Sequence, residues 1–253
     1  MEIEQTRLIR KEIISKEIFG FDLESKTIAR KAKPGQFVQI RVNNSFDPFL
    51  RRPFSIASAW SDTIRIVFRV RGRGTEILAQ AIEGEPIDVL GPLGRALPHY
   101  EDRDIFIIGG GVGIAPLFFL CQKLEIENRM HLFFGAKNRD ELIMLDGFRK
   151  MTKNIMISTE DGSLGKRGRV TDLLVAEEIE AKIRSSLIFA CGPLPMLKVI
   201  QKKFTSLPVY GFLEERLGCG TGVCFGCAVK KKTGGYLRVC EEGPVVNLNE
   251  IEI

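Results

Sequence analysis

Ile107-Ile-Gly-Gly-Gly-Val-Gly-Ile-Ala-Pro-Leu117 joins an apolar stretch to a helix-like stretch through four glycines. The residues before the glycines, 104–108, are almost continuously apolar, which is typical of a strand buried on both faces of a parallel sheet. A helix is predicted from Ala115 to about Leu124, with Pro116 in its first turn. A glycine loop between a buried strand and a helix start suits a pyrophosphate, because free backbone N–H groups meet there.

The chain beyond this loop alternates between strand and helix patterns. Such alternation predicts an α/β domain built on a parallel sheet with helices on both faces. The predicted strands are 130–134, 154–158 and 186–190, and the predicted helices are 141–150, 170–176 and 195–204.

The chain before the loop has a β pattern. Ile64, Ile66, Phe68 and Val70 alternate with arginines, which is the period-2 signature of a half-buried strand. A second strand is predicted at 36–42, and turn signals punctuate this part of the chain at irregular intervals. A small antiparallel β-barrel fits this pattern best.

Length and composition set the domain organisation. The 253 residues, 44% of them hydrophobic, suffice for two domains with real cores. We expect a β-barrel domain over 1–100, an α/β domain over 101–210 and a small tail subdomain over 211–253. The tail is too short for another sizeable core, so a metal is expected to help fold it.

Charge and hydropathy narrow the class of protein. The net charge of +5 is mild and scattered, so nucleic acid is not an expected partner. The basic run Lys230-Lys-Lys232 is read as a solvated loop. No apolar run is long enough to span a membrane, and no targeting segment is recognised at the start. A cytoplasmic location is therefore expected.

Four of the six cysteines crowd into the tail, which argues for a metal site rather than disulfides. Cys219, Cys224, Cys227 and Cys240 have the Cys-x4-Cys-x2-Cys and distant Cys spacing of plant-type 2Fe-2S ferredoxins. The glycines between them let the backbone approach the sulfides and donate amide hydrogens. Structural zinc is the alternative, although zinc ribbons usually use two Cys-x2-Cys pairs.

Arg52-Pro53-Phe54-Ser55 follows a predicted strand and has residue types that a flavin dinucleotide needs. They are a guanidinium for the pyrophosphate, an aromatic ring to pack on the cofactor and a hydroxyl near the reactive ring edge. Downstream, Thr75 precedes a helix-like segment, 76–81, and is predicted to cap a helix whose amides face a phosphate.

These motifs together resemble the ferredoxin-reductase-like flavoproteins. The resemblance implies that Arg52, Phe54, Ser55, Gly74 and Thr75 bind FAD, with further contacts from Arg69, Val70 and Arg71.

The glycine loop lacks the third glycine of the Rossmann fingerprint. It matches instead the Gly-Gly-x-Gly-x-x-Pro turn of this family's nicotinamide domain, which assigns Gly110, Gly111 and Gly113 to the nucleotide. The family's Cys-Gly-Pro turn is present as Cys191-Gly192-Pro193 and implies that Cys191 lies beside the nicotinamide; a buried thiol at a strand end is the alternative.

The choice of nucleotide depends on the charge near the ribose. An acid favours the free 2′-hydroxyl of NAD, and an arginine favours the 2′-phosphate of NADP. Glu160 and Asp161 follow a predicted strand end and indicate NAD(H). Arg139, Lys166 and Arg167 belong to loops of the same edge and leave NADP open.

The order of barrel, nucleotide domain and cysteine tail resembles the electron transfer subunits of type B dihydroorotate dehydrogenase over nearly the whole chain. The most specific segments are Leu213-Glu-Glu-Arg216 before Cys219, Gly235-Tyr-Leu-Arg-Val-Cys240, and Gly243-Pro-Val-Val246. The resemblance implies FAD, a 2Fe-2S cluster and NAD(H). It also implies an FMN-containing catalytic subunit as partner, in a heterotetramer of two catalytic and two electron transfer subunits. The mechanism implied by this resemblance is that dihydroorotate reduces FMN in that partner and that electrons then reach NAD⁺ through the cluster and FAD.

Two rival functions remain open at this stage. The first is the small reductase subunit of a sulfide dehydrogenase, a hydrogenase or an NADH-dependent ferredoxin-NADP reductase complex. The second is a non-enzymatic zinc-binding redox sensor. Ferredoxin-fused oxygenase reductases are disfavoured by the short interval to Cys240.

Overall fold

The computed structural model describes residues 1–174 and 186–253. Within them the chain forms two compact units. The first contains Met1–Leu97, Glu214–Ala228 and Leu237–Pro244, and the second contains Pro98–Leu213, Val229–Tyr236 and Val245–Ile253. Segments of the tail thus belong to both units. The separate subdomain predicted over 211–253 stays a prediction.

The first unit is built on a closed six-stranded antiparallel barrel, as the β pattern predicted. Its strands follow one another around the barrel in the order β1-β2-β5-β4-β3-β6, and β6 pairs with β1 to close it. The strands are β1 (Glu2–Ser15), β2 (Ile18–Glu24), β3 (Phe37–Arg41), β4 (Arg52–Trp60), β5 (Thr63–Arg69) and β6 (Pro86–Leu93), with helices α1 (Lys26–Lys31) and α2 (Arg73–Gln80).

Aromatic side chains fill the barrel. The ring of Phe68 lies 5.1 Å from that of Phe21 in an edge-to-face contact and 5.3 Å from that of Phe54. Phe21 is fully buried, and Phe54 is 8% exposed. Such pairs stabilise a core beyond the apolar area that they bury.

The second unit is built on a seven-stranded sheet in the order β10-β9-β8-β7-β11-β12-β15. All neighbours are parallel except β12 and β15, so the predicted parallel sheet is confirmed with one antiparallel strand added by the tail. The strands are β7 (Asp104–Gly110), β8 (Arg129–Ala136), β9 (Ile155–Thr159), β10 (Lys166–Arg167), β11 (Leu187–Cys191), β12 (Val209–Phe212) and β15 (Val245–Asn247), with helices α3 (Ile114–Leu124), α4 (Leu145–Met151) and α5 (Leu194–Lys203).

The tail also forms a two-stranded sheet of β13 (Ala228–Lys230) and β14 (Tyr236–Arg238), the short helix α6 (Val239–Glu242) and a 3₁₀ turn, Leu248–Glu250.

The helix predicted over 141–150 begins later than expected. A 3₁₀ turn, Arg139–Glu141, comes first, because the side chain of Asn138 accepts hydrogen bonds from two backbone N–H groups there. Met144 then adopts a left-handed conformation with φ of 58°, so α4 begins only at Leu145. The helix predicted over 170–176 is a 3₁₀ turn, Val170–Leu173, and its last two residues lie outside the described part of the chain.

Across residues 1–174 and 186–253, none of the helices has the length and apolar character that crossing a bilayer requires.

Truncating Phe21 to alanine tests the barrel core. We expect the change to lower the free energy of unfolding by about 3–5 kcal/mol, because it removes a fully buried ring and leaves a cavity. Urea unfolding followed by circular dichroism measures the effect. The matched control is Phe46→Ala, since the side chain of Phe46 is 87% exposed. Equal losses in the two variants would contradict the assignment of Phe21 to the core.

Candidate functional site

The four tail cysteines come together in the first unit, in the loop before β13 and at the start of α6. All six cysteines are within the described residues, and none forms a disulfide. Cys219 and Cys224 share two N–H···S hydrogen bonds, while the sulfurs of Cys227 and Cys240 lie 3.2 Å apart. The thiols therefore fall into two pairs. In a 2Fe-2S cluster each iron takes two thiolates, so this pairing fits two irons.

Backbone amides surround the sulfurs. The N–H groups of Thr221 and Cys224 donate to Sγ of Cys219, each at 3.4 Å, and that of Gly222 donates to Sγ of Cys240 at 3.1 Å. Further amides reach Sγ of Cys224 at 3.5 Å and Sγ of Cys227 at 3.4 Å. Such donors stabilise sulfur in its anionic form, which is the form that binds iron. The loop thus fits the cluster that the spacing predicted.

The two pairs differ in burial, and Cys219 and Cys240 differ in the pKa of their thiols. Burial raises the pKa of Cys219, but the amides of Thr221 and Cys224 outweigh it and hold the pKa at about 6. Burial, together with contact with Cys227, raises the pKa of Cys240 to about 12. Cys224 is exposed, whereas Cys227 and Cys240 are each 2% exposed. One pair therefore lies at the surface and the other inside.

A mononuclear zinc site is the alternative for these thiols. Among the residues that the structure describes, no three Cys, His, Asp or Glu side chains converge on a point that would hold one metal ion. The arrangement in pairs, with an amide at every sulfur, favours the two-iron interpretation over zinc.

Glycine is required in the ligand loop. Gly220 and Gly222 have φ of 74° and 81°, in the left-handed region. A Cβ at Gly220 would lie 2.3 Å from Nε2 of Gln39, and one at Gly222 would lie 1.9 Å from a carboxylate oxygen of Glu241. The loop therefore packs directly on β3 of the barrel, which carries Gln39.

Arg238, which lies in the segment 235–240 but was not predicted to have a role of its own, holds the loop in place. Its guanidinium donates to the carbonyl oxygen of Gly222 at 3.0 Å and pairs with the carboxylate of Glu241 at 2.6 Å. It also lies over the ring of Phe225, 5.2 Å from the centroid. Phe225 has φ of 56° and is 60% exposed, so a bulky ring is held outward on a strained backbone.

The predicted flavin residues lie on β4 and around α2. Arg52 donates to the carbonyl oxygen of Leu50. A Cβ at Gly74 would lie 2.5 Å from Nε of Arg52. The guanidinium therefore lies directly against the first turn of α2, where both a positive charge and free N–H groups are available to an anion.

Two details differ from the sequence-based expectation. Thr75 caps α2 from within its first turn rather than as the N-cap. The helix begins at Arg73 with Gly72 as the N-cap, and the hydroxyl of Thr75 accepts from the N–H groups of Arg71 and Gly72, at 2.9 and 3.2 Å. Phe54 packs on Phe68 in the barrel core, so its ring has a structural role, and its contact with a flavin stays a prediction.

The other predicted flavin contacts lie at the end of β5 and just after it. Arg69 pairs with Glu17 at 3.2 Å, the N–H of Val70 donates to the carbonyl oxygen of Glu17 at 2.8 Å, and Arg71 is exposed. On β4, Pro53 and Ser55 are half-buried.

The predicted nucleotide residues meet at the carboxyl ends of β7 and β11. These strands are parallel neighbours, and Cys191 pairs with Gly109. A Cβ at Gly113 would lie 2.7 Å from the carbonyl oxygen of Cys191, and one at Gly110 would lie 3.1 Å from the ring of Pro193. The glycine loop and the Cys191-Gly192-Pro193 turn are thus in contact, as an open α/β sheet requires at a ligand crevice. Gly111 has φ of 54°, and Cys191 is 3% exposed.

Family profiles match two parts of the chain. Residues 214–252 match the iron-sulfur cluster binding domain of dihydroorotate dehydrogenase B. Residues 107–202 match the oxidoreductase NAD-binding domain.

Curated relatives extend over nearly the whole chain. The electron transfer subunit of dihydroorotate dehydrogenase B (NAD(+)) from Geobacillus kaustophilus is 34% identical, with 98% of each chain covered. A protein from Aquifex aeolicus, named as a homolog of that subunit, is 37% identical, with 88% of each chain covered.

Solved structures share the fold. A chain of the NADH-dependent reduced ferredoxin-NADP oxidoreductase superposes with a TM-score of 0.88 at 29% identity, over 98% of this chain and 90% of that one. A ferredoxin NADP+ reductase from Neisseria gonorrhoeae, solved with FAD and NADP, has a TM-score of 0.68 at 19% identity, over 85% of this chain and 95% of that one. The latter likeness concerns the fold alone.

Gly220→Ala tests the seating of the ligand loop on β3. The new methyl group would meet Gln39, which is 1% exposed and therefore has little room to move. The alanine would also be held in the left-handed backbone conformation of Gly220. We expect the purified variant to hold at least twofold less iron and acid-labile sulfide per chain, because the clash with Gln39 adds to the ~1–2 kcal/mol that a left-handed non-glycine residue costs.

Gly234→Ala is the matched control for this change. Gly234 also has positive φ, at 93°, but a Cβ there meets nothing within 4 Å. Equal iron in the two variants would contradict the direct contact between Gly220 and β3.

Proposed function

Because the chain belongs to the family of dihydroorotate dehydrogenase B electron transfer subunits, we propose that it carries electrons between a catalytic partner subunit and NAD⁺. The partner oxidises dihydroorotate to orotate with FMN, as a step of pyrimidine biosynthesis in the cytoplasm. Two catalytic and two electron transfer subunits form the complex. A 2Fe-2S cluster would supply single-electron transfer, and FAD would supply the exchange between single electrons and a hydride.

One observation carries this proposal: the cysteine loop is seated on the barrel strand next to the flavin motif. Gly220 lies against Gln39 of β3, and β3 pairs with β4 through Gln39 and Pro53. The loop and the Arg52-Pro53-Phe54-Ser55 motif therefore lie on neighbouring strands of one barrel. Electron transfer requires such closeness, and a zinc-binding sensor would not need it.

The residues around α2 are proposed to hold FAD. Arg52 and the first turn of α2, with Gly74 and Thr75, bind the pyrophosphate, since a guanidinium and helix-start N–H groups converge there. Pro53, Phe54 and Ser55 position the flavin ring, and Arg69, Val70 and Arg71 line the adjoining strand end.

The second unit is proposed to bind NAD(H). Gly110, Gly111 and Gly113 present backbone to the pyrophosphate, and Cys191, Gly192 and Pro193 form the facing turn. Glu160 and Asp161 follow the end of β9 and favour an unphosphorylated ribose. The carboxylate of Asp161 also accepts hydrogen bonds from Ser163, which orders this turn.

The surface around Cys224 is proposed as the docking site for the catalytic subunit. Cys224 is the exposed cysteine of the surface pair, and it is flanked by Val223 and Phe225, which are 78% and 60% exposed. An exposed apolar pair beside an electron carrier suits a protein interface, because it excludes water where electrons leave.

The visible spectrum of the anaerobically purified chain, with iron and zinc assays, tests the proposed function first. We expect flavin bands and a broad iron-sulfur absorbance, and both should bleach when NADH is added. Zinc in place of iron, or a chain without flavin, would overturn the proposal in favour of the zinc-binding sensor.

Phe225→Asp tests the docking surface. We expect affinity for the dihydroorotate-oxidising subunit to fall at least tenfold, because a charge would be buried at the interface. Co-purification and titration calorimetry measure binding, while NADH-dependent dye reduction and iron content should be unchanged. Ile82→Asp is the control, since Ile82 is similarly exposed at 63% but lies after α2 on the barrel. Unchanged affinity in Phe225→Asp would show that the partner docks elsewhere.

A second candidate function is the small subunit of an NADH-dependent ferredoxin-NADP reductase complex. It is favoured by the superposition on that oxidoreductase, with a TM-score of 0.88. Co-expression with each type of catalytic subunit separates the two functions, because only the physiological partner should form a stable complex that passes electrons to or from the chain.

A further inference from the structure

Gln39 carries a buried hydrogen-bond donor that none of the described residues satisfies. The residue is 1% exposed, and its side-chain Nε2 has no hydrogen-bond partner among the residues that the structure describes. The same Nε2 lies against the cysteine loop, 2.3 Å from where a Cβ of Gly220 would stand. A buried N–H group without an acceptor is destabilising, so such groups in native proteins usually meet a partner.

The residues in register with Gln39 do not offer that partner. Gln39 lies in register with Pro53 of β4 and with Leu90 of β6, and neither side chain has a polar atom. Its strand neighbours Val38 and Ile40 are fully buried and apolar. Strand alternation places Gln39 on the face opposite these two residues. The amide is therefore directed out of the barrel core and towards the cysteine loop.

The loop already turns its amides towards sulfur. The N–H groups of Cys219, Thr221 and Gly222, on both sides of Gly220, all donate to cysteine sulfurs. The acceptors around Gly220 are therefore sulfur atoms. Both the thiolates and the bridging sulfides of a 2Fe-2S cluster accept N–H hydrogen bonds.

We propose that Gln39 tunes the cluster: its side-chain amide donates a hydrogen bond to a sulfur of the bound 2Fe-2S cluster and raises the cluster's reduction potential. This inference rests on the proposed function, since it needs a cluster in the loop. The direction follows from charge. Reduction adds an electron to the cluster, so an N–H donor stabilises the reduced form more than the oxidised form.

The experiment is a redox titration of the anaerobically purified holoprotein, with the cluster followed by electron paramagnetic resonance and the flavin by absorbance. Gln39→Leu removes the donor and keeps a similar volume. At the wild-type midpoint we expect the ratio of reduced to oxidised cluster to fall by about threefold to tenfold, where tenfold corresponds to ~59 mV for one electron. The flavin midpoint should be unchanged.

Gln36→Leu is the matched control. It makes the same substitution in the same unit, but the amide of Gln36 donates to the carbonyl oxygen of Gly94 at 3.0 Å. We expect the cluster midpoint of this variant to equal that of the wild type. A residue that only fills space in the barrel would leave the midpoint unchanged in Gln39→Leu as well.

Several outcomes would overturn the proposal. They are an unchanged cluster midpoint in Gln39→Leu, a shift confined to the flavin, or an equal shift in Gln36→Leu. If Gln39→Leu lost its iron, Gln39→Met and Gln39→His would be compared. Iron retained by histidine, which keeps an N–H donor, and not by methionine supports the proposal, and the reverse or equal retention overturns it. Wild-type protein without iron would instead refute the proposed function, so the two failures are distinguishable.

Discussion

The structure of the tail depends on hydrogen-bond donors for four closely spaced cysteine sulfurs, two of which are buried. Four thiols brought together repel one another when ionised, and the interior of a protein offers little water to solvate them. The chain meets the requirement with backbone N–H groups, at least one of which donates to each sulfur. Backbone can turn inward so closely only where side chains are absent, which is why Gly220 and Gly222 adopt left-handed conformations.

The same requirement determines where the tail packs. A loop that turns its amides inward has few side chains of its own to bury, so it must rest on an existing core. Gly220 rests on Gln39, and the N–H of Arg95 donates to the carbonyl oxygen of Gly243 at 2.6 Å. The cysteine loop thereby becomes part of the barrel unit. It lies on β3, beside the strand that carries Arg52 and Ser55, so the proposed cluster and flavin sites lie on neighbouring strands of the barrel.

Glycine has a related role in the second unit. Because Gly110 and Gly113 have no side chains, β7 and the following turn pack directly against the Cys191-Gly192-Pro193 turn. Here too the absent side chains leave backbone N–H groups available to an anionic ligand. Both proposed binding regions therefore depend on close backbone approach, with few charged side chains.

Local patterns in the sequence were enough to predict the barrel, the parallel sheet and the two-iron interpretation of the cysteines. Strand alternation, the glycine loop and cysteine spacing are properties of neighbouring residues, and a sequence displays them directly. The start of α2 at Arg73 and the late start of α4 could not be predicted, because they depend on hydrogen bonds made by Thr75 and Asn138 that compete with simple helix patterns. Tertiary structure alone decided two further features. They are the core position of Phe54 and the environment of Gln39, whose Nε2 has no hydrogen-bond partner among the described residues. Phe54 packs against Phe68, and Gln39 lies against Gly220, so both depend on residues from other segments of the chain. Contacts between separate segments leave no local periodic signal in the sequence.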